Sequence, residues 1–166
     1  MASARQIHVG GVPIGGGAPV AVQTMTKTET ANLGPTMEQI RRVAEAGADI
    51  VRVAVPEKKD TAALKEILPH VTVPIVADVH FHFQRALEAI DAGVHKIRLN
   101  PGNISDRAQV RAVIQACKAK NLPIRIGVSA AVAFTATSAT LSRPPMLPGF
   151  SRMQWAPASI AFSARV

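Results

Sequence analysis

The chain has 166 residues, 48% of them hydrophobic, and a formal net charge of +8 from 19 basic and 11 acidic side chains. That is enough for one core, with no run near the roughly 18 apolar residues of a membrane span and no apolar stretch in the opening MASARQIHVGG, so a cytoplasmic protein with no membrane role is expected. Cys117 stands alone, which excludes an internal disulfide, and no Cys/His cluster has metal-ligand spacing, so this chain is expected to bind no metal and no iron–sulfur cluster. The basic residues are scattered, without a Lys/Arg run or interleaved aromatics, and this argues against nucleic acid as a partner.

The glycine-rich opening, residues 10–17, precedes the first strand instead of following it, so it reads as a hairpin plugging a barrel floor and not as a phosphate cradle. Near-continuous aliphatic runs then predict strands at residues 20–25, 49–55, 74–79, 95–99 and 123–128. Helices are expected between them. Residues 36–46 open on Thr36 with Gln39 at capping-box spacing and close at Gly47. Residues 58–68 stop before Pro69, and residues 83–92 end at Gly93. The fourth helix starts near Ser105, capped by Ser105 or Asn103, and runs to Lys120 with Val110, Val113, Ile114 and Cys117 on one stripe; this makes Cys117 a buried helix residue.

Two phrases, Glu45-Ala-Gly-Ala-Asp-Ile-Val-Arg52 and Asp91-Ala-Gly-Val-His-Lys-Ile-Arg98, echo each other about 46 residues apart, as stacked βα units do. The alternation predicts an α/β fold: a partial TIM barrel of about five parallel strands with four covering helices, too short for the usual ~250-residue barrel. Domain boundaries are expected at residues 1–130 for this barrel part and 131–166 for an irregular tail.

In such folds ligands sit at the carboxy-terminal ends of the strands, and these ends are unusually polar here. Arg52, Arg98 and Arg125 each lie between two aliphatics on separate strands, so if the aliphatics face the helices, all three guanidiniums face the barrel axis. Converging cations need counter-charge; Asp78 is one source, and a bound diphosphate, which the guanidinium fork matches bidentately, is a better one. The alternative is a network in which Asp49, Asp78 and Asp91 pair with the arginines and only set register. His80, beside Asp78, is a candidate ligand or proton donor, whereas His82 and His95 read as structural. The turn Asn100-Pro-Gly-Asn-Ile104 supplies Asn100 and Asn103 and is either an oxyanion site or a plain loop; Gln23, near the end of the first strand, is a weaker contact candidate.

Taken in order, Pro19-Val-Ala-Val-Gln-Thr-Met-Thr26, Gly47-Ala-Asp-Ile-Val-Arg-Val53, Pro74-Ile-Val-Ala-Asp-Val-His-Phe81, Ile97-Arg-Leu-Asn-Pro-Gly-Asn-Ile104 and Pro123-Ile-Arg-Ile-Gly-Val128 resemble the amino-terminal barrel of the 4-hydroxy-3-methylbut-2-en-1-yl diphosphate synthase family. The resemblance covers about residues 6–130. It implies an oxidoreductase of the non-mevalonate isoprenoid pathway that opens 2-C-methyl-D-erythritol 2,4-cyclodiphosphate reductively, with electrons from ferredoxin or flavodoxin and a [4Fe–4S] cluster held by a separate carboxy-terminal domain. It further implies a homodimer at full length, a diphosphate clamped by Arg52, Arg98 and Arg125, and His80 and Asn100 close by. Another phosphate-binding barrel, such as a pterin-binding synthase, is the alternative.

After Val128 the family pattern, Asn-Ala-Gly-Ser and a charged helix, gives way to Ser129-Ala-Ala-Val-Ala-Phe134 and then to a stretch with Arg143, Arg152 and Arg165 and no acid. That composition is expected of a frame-shifted reading of GC-rich DNA or of a disordered tail. The reading is therefore of an incomplete substrate-binding fragment, inactive as a reductase because the cluster domain is missing.

Overall fold

A computed structural model describes residues 4–100, 103, 104, 106–127 and 162–164. Two short strands, β1 (Gln6–Val9) and β2 (Val12–Gly15), form an antiparallel hairpin. Gly10 makes its turn at φ +57°, and a Cβ there would stand 2.9 Å from Pro74 Cγ and 3.1 Å from His95 Cδ2, so only glycine lets the hairpin press this close to the sheet. Val9 is fully buried against Ile50 and Val76, which is the expected floor plug.

Five parallel strands follow: β3 (Gln23–Met25), β4 (Ile50–Ala54), β5 (Ile75–Val79), β6 (Lys96–Leu99) and β7 (Ile124–Ile126), paired in sequence order. Their helices are α1 (Leu33–Glu45), α2 (Lys58–Ile67), α3 (Phe83–Ala92) and α4 (Arg107–Ala119). The expected five strands and four helices are therefore present. A sixth strand, β8 (Phe162–Ala164), joins β7 antiparallel. These are the three described residues of the tail; the rest of the expectation for residues 131–166 lies outside the described residues.

The helix ends show where local sequence sufficed. At the end of α1, the Ala48 and Gly47 amides donate to the Val43 and Ala44 carbonyls, the paired bonds of a Schellman closure at the expected glycine. Its start differs from expectation: the cap is Asn32, and Thr36 is buried inside the helix with its hydroxyl donating to the Glu29 carbonyl at 3.0 Å. Gln39 faces the preceding loop, accepting from the Lys27 amide at 2.7 Å, so the Thr-to-Gln spacing serves a tertiary loop anchor and not a capping box. The capping box sits instead on α2, where Glu57 and Asp60 satisfy each other's backbone amides. The cap of α4 is Asp106, whose carboxylate accepts from the Ala108 amide at 2.8 Å, not Asn103; Ser105 lies outside the described residues. A carboxylate wins this place because it meets the positive end of the helix.

The core lies between sheet and helices. Val51, Val53, Ile75, Ala77, Val79, Ile97 and Leu99 point outward onto Ile40, Leu64, Ile67, Ala86, Ile90, Val113 and Cys117 of the helices. Burying one such Leu or Ile stabilises the fold by about 1.5–3 kcal/mol, so this face dominates stability. Cys117 is 1% exposed and burial pushes its thiol up to about 11, which fits the expected helix-core role. His95 is structural too: burial lowers its pKa, and its Nδ1 accepts from the Ile75 amide at 3.1 Å. No helix among the described residues is long and apolar enough to cross a membrane.

Candidate anion site on the inner face of the sheet

Because strand side chains alternate, packing Val51 and Val53 outward forces Arg52 inward, and likewise Asp78, Arg98 and Arg125 on the next three strands. The register fixes their heights. Ala54, Asp78, Arg98 and Arg125 form one row across the four strands. Arg52 pairs with Val76, one inward row lower, so two of the three arginines share a row and the third reaches it from below.

Asp78 is the hub. Its side chain is 2% exposed, and Oδ1 accepts from Arg98 Nη1 at 2.8 Å while Oδ2 lies 3.2 Å from Arg52 Nε. Arg52 also lies against Met25, with Nε and Nη2 at 3.3 and 3.1 Å from the thioether Sδ, a weak acceptor that leaves most of the guanidinium's capacity unspent. His80, one residue past β5, puts Nε2 at 3.2 Å from Asp78 Oδ1 and 3.3 Å from Arg98 Nη1. With a proton on Nε2 the ring donates to Asp78; without one it accepts from Arg98. Phe81, beside it, is exposed at the mouth and tilts against the His80 ring.

Arg125 is directly paired with Arg98 in the ladder, and its guanidinium makes no hydrogen bond or ion pair among the described residues. Neither of the other two acids weighed as partners joins this cluster: Asp49 accepts from the Val22 amide at 2.7 Å, and Asp91 pairs with Lys120 at 2.8 Å. Among the described residues, one buried carboxylate thus faces three guanidiniums. Like charges directly opposite on neighbouring strands repel, so a row carrying Arg98 and Arg125 side by side suits an anion placed between them.

The remaining candidates stand at the edges. Asn100 follows β6, and its carbonyl accepts from the Asn103 amide at 3.1 Å, so that amide is spent within the turn. With Asp106 capping α4, the amides there meet a carboxylate of the chain itself, which favours the plain-loop reading over an oxyanion site. Gln23 opens β3, paired with Ile50 a full row below Arg52.

Two residues escaped the sequence reading. Gly127, just past β7, lies against Arg98: a Cβ would meet its Nε and Nη2 at 3.1 Å, so glycine gives the guanidinium room to lie flat across the strand end. Lys96 sits two residues before Arg98 on the same inner face. The alternation Lys96-Ile97-Arg98 carried that signal, but a lysine opening a strand reads as solvent-facing.

The donors for a metal cluster do not fit. Among the described residues no group of three or more His, Cys, Asp or Glu could hold a metal ion, and the chain's one thiol is protonated and buried in α4.

A parallel β/α sheet of barrel type, cationic on the inner face where its strands end, defines the class of protein. The chain belongs to the GcpE TIM-barrel domain family, whose model matches residues 4–140. It is 56% identical over 126 residues to the 4-hydroxy-3-methylbut-2-en-1-yl diphosphate synthase (flavodoxin) of Ruegeria sp. (strain TM1040), covering 76% of this chain and 33% of that protein. Against the protein of the same name from Persephonella marina the identity is 52% over 125 residues, covering 75% and 36%. The chain thus spans about a third of the length of the curated relatives it matches. A dihydropteroate synthase from Xanthomonas albilineans, solved with 4-aminobenzoic acid, superposes with a TM-score of 0.50 at 13% identity over 72% of this chain and 50% of that one, a likeness of fold alone.

Proposed function

We propose that this chain is the substrate-binding part of a 4-hydroxy-3-methylbut-2-en-1-yl diphosphate synthase, holding the diphosphate of 2-C-methyl-D-erythritol 2,4-cyclodiphosphate between Arg52, Arg98 and Arg125. The observation that carries the reading is the direct pairing of Arg98 with Arg125 on neighbouring strands, while Asp78, the buried carboxylate described on this face, is already shared by Arg98 and Arg52. An anion with two phosphate groups supplies the missing charge and the oxygen geometry that paired guanidinium forks match. Asp78 holds Arg52 and Arg98 in place; His80 stands close enough to donate to or accept from a ligand oxygen, with Asn100 and Asn103 on the turn beyond β6 and Gln23 lower in the barrel.

The reductive ring opening needs two electrons, and the chain's own residues supply no cluster to deliver them. Holding the diphosphate, and not the electron transfer, is therefore what these residues contribute. In a full-length homodimer the [4Fe–4S] domain and a flavodoxin or ferredoxin complete the reaction. The reading of residues 131–166 as frame-shifted predicts cysteine-rich coding sequence in another frame downstream of the Val128 codon, which resequencing would reveal.

Calorimetry of the chain with the cyclodiphosphate, inorganic pyrophosphate and a pterin diphosphate tests the assignment. The first two bind and Arg98→Met weakens both at least tenfold, a loss of about 1.5–3 kcal/mol for a charge-assisted pair. Preference for the pterin diphosphate, or indifference to Arg98→Met, overturns it.

A further inference from the structure

Below the arginine row lies a cation with no counterpart. Lys96 opens β6 on the inner face, paired with Val76 and therefore level with Arg52, one row beneath Arg98. It is 7% exposed, and its ammonium makes no hydrogen bond or ion pair among the described residues. Around it stand Arg52 from β4, Arg98 from its own strand and Arg125 from β7, with Val9, Val12 and Ile14 of the hairpin packing on Ile50 and Val76 below. Among the described residues the one acid on this face, Asp78 from β5, is engaged by Arg52, Arg98 and His80. The Lys96 stem is buried, and the charges of Arg125 and Arg52 act on its ammonium.

We infer that Lys96 is the floor of the anion site and that a phosphate-bearing ligand, seated among Arg52, Arg98 and Arg125, recruits a proton from solvent onto its amine. The inference rests on the diphosphate-binding reading and adds to it a fourth binding group that titrates. Burial, and then the charges of Arg125 and Arg52, push the ammonium down to about 8 from the ordinary 10.5, so the empty site loses this charge as pH rises through 8. A bound dianion reverses the sign of the local field and restores it. Ligand affinity is then highest where Lys96 is already charged, falls as pH rises above about 8, and each binding event near that pH takes up a fraction of a proton.

The test uses the full 166-residue chain and methanedisulfonate, a twin anion that does not itself titrate in the relevant range, by calorimetry near pH 8 in two buffers of different ionisation enthalpy. About half a proton is taken up per anion, because an amine with its midpoint at about 8 is half neutral there. Lys96→Met abolishes the uptake and weakens binding at least fivefold at neutral pH. Lys96→Arg, which cannot shed its proton, retains the affinity, shows no uptake and holds binding constant into alkaline solution; it decides the matter if the methionine variant does not fold. Proton uptake that persists in Lys96→Arg, or a Lys96→Met chain that binds as tightly as wild type while Arg98→Met does not, overturns the role of Lys96 and leaves the diphosphate reading standing. A wild-type chain that binds neither methanedisulfonate nor inorganic pyrophosphate overturns both.

Discussion

The two faces of one sheet obey opposite rules. Outward, Val51, Val53, Ile75, Ala77 and Ile97 are completely buried under four helices and carry no polar atom. Inward, the same strands present Arg52, Asp78, Lys96, Arg98 and Arg125, of which only Asp78 is acidic. The outer face is stable as it stands, because hydrocarbon packing needs no partner of particular charge. The inner face is a charge arrangement that one carboxylate holds together only in part. Hydrocarbon packing and charge have thus been separated by a step of one residue along each strand, since the pleat assigns each successive side chain to the other face.

Exchanging the character of the faces breaks the comparison most sharply. Val53→Asp places a carboxylate under the helices with no cation in reach, at a cost of about 4 kcal/mol or more, and far-UV circular dichroism shows loss of the folded chain. On the inner face the same chemistry runs in reverse: Asp78→Asn removes the carboxylate that Arg52 and Arg98 share, lowering stability by about 3 kcal/mol in urea titration. The loss is restored in part by millimolar pyrophosphate, because the ligand now replaces the missing charge; the variant binds that anion more tightly than wild type. A smaller effect sharpens the contrast by touching neither face. Asp60→Ala removes the half of α2's capping box that accepts from the Glu57 amide, and the acceptor for the Ala31 amide, reducing stability by about 1–2 kcal/mol in the same titration with pyrophosphate affinity unchanged.

Particular residues show how far the sequence could be read. The strand centres, the closures at Gly47 and Gly93 and the floor hairpin were legible because each depends on a local pattern: an aliphatic run, a glycine where the helix stops, a glycine-rich turn before the first strand. The start of α1 was not. Thr36 and Gln39 have the spacing of a cap, yet their partners are Glu29 and Lys27 in a loop that folds back onto the helix, and no short-range pattern announces that contact. The inward arginines were legible from alternation, but the pairing of Asp78 with two of them and not Asp49 or Asp91 was not. Lys96 was missed for a related reason: its alternation with Arg98 was visible, but its burial depends on the hairpin and on three other strands.

What the sequence by itself determined is the period: alternating side chains divide each strand into a hydrocarbon face and a charged one, and turn residues set where elements end. Register between strands, and with it the height of each charge, was decided only by the assembled sheet. Neighbouring strands can slide by two residues without changing which face a side chain takes, so period alone leaves the rows undetermined. Packing of the helices and the hairpin selects the one alignment that sets Arg98 beside Arg125, Asp78 between Arg98 and Arg52, and Lys96 level with Arg52.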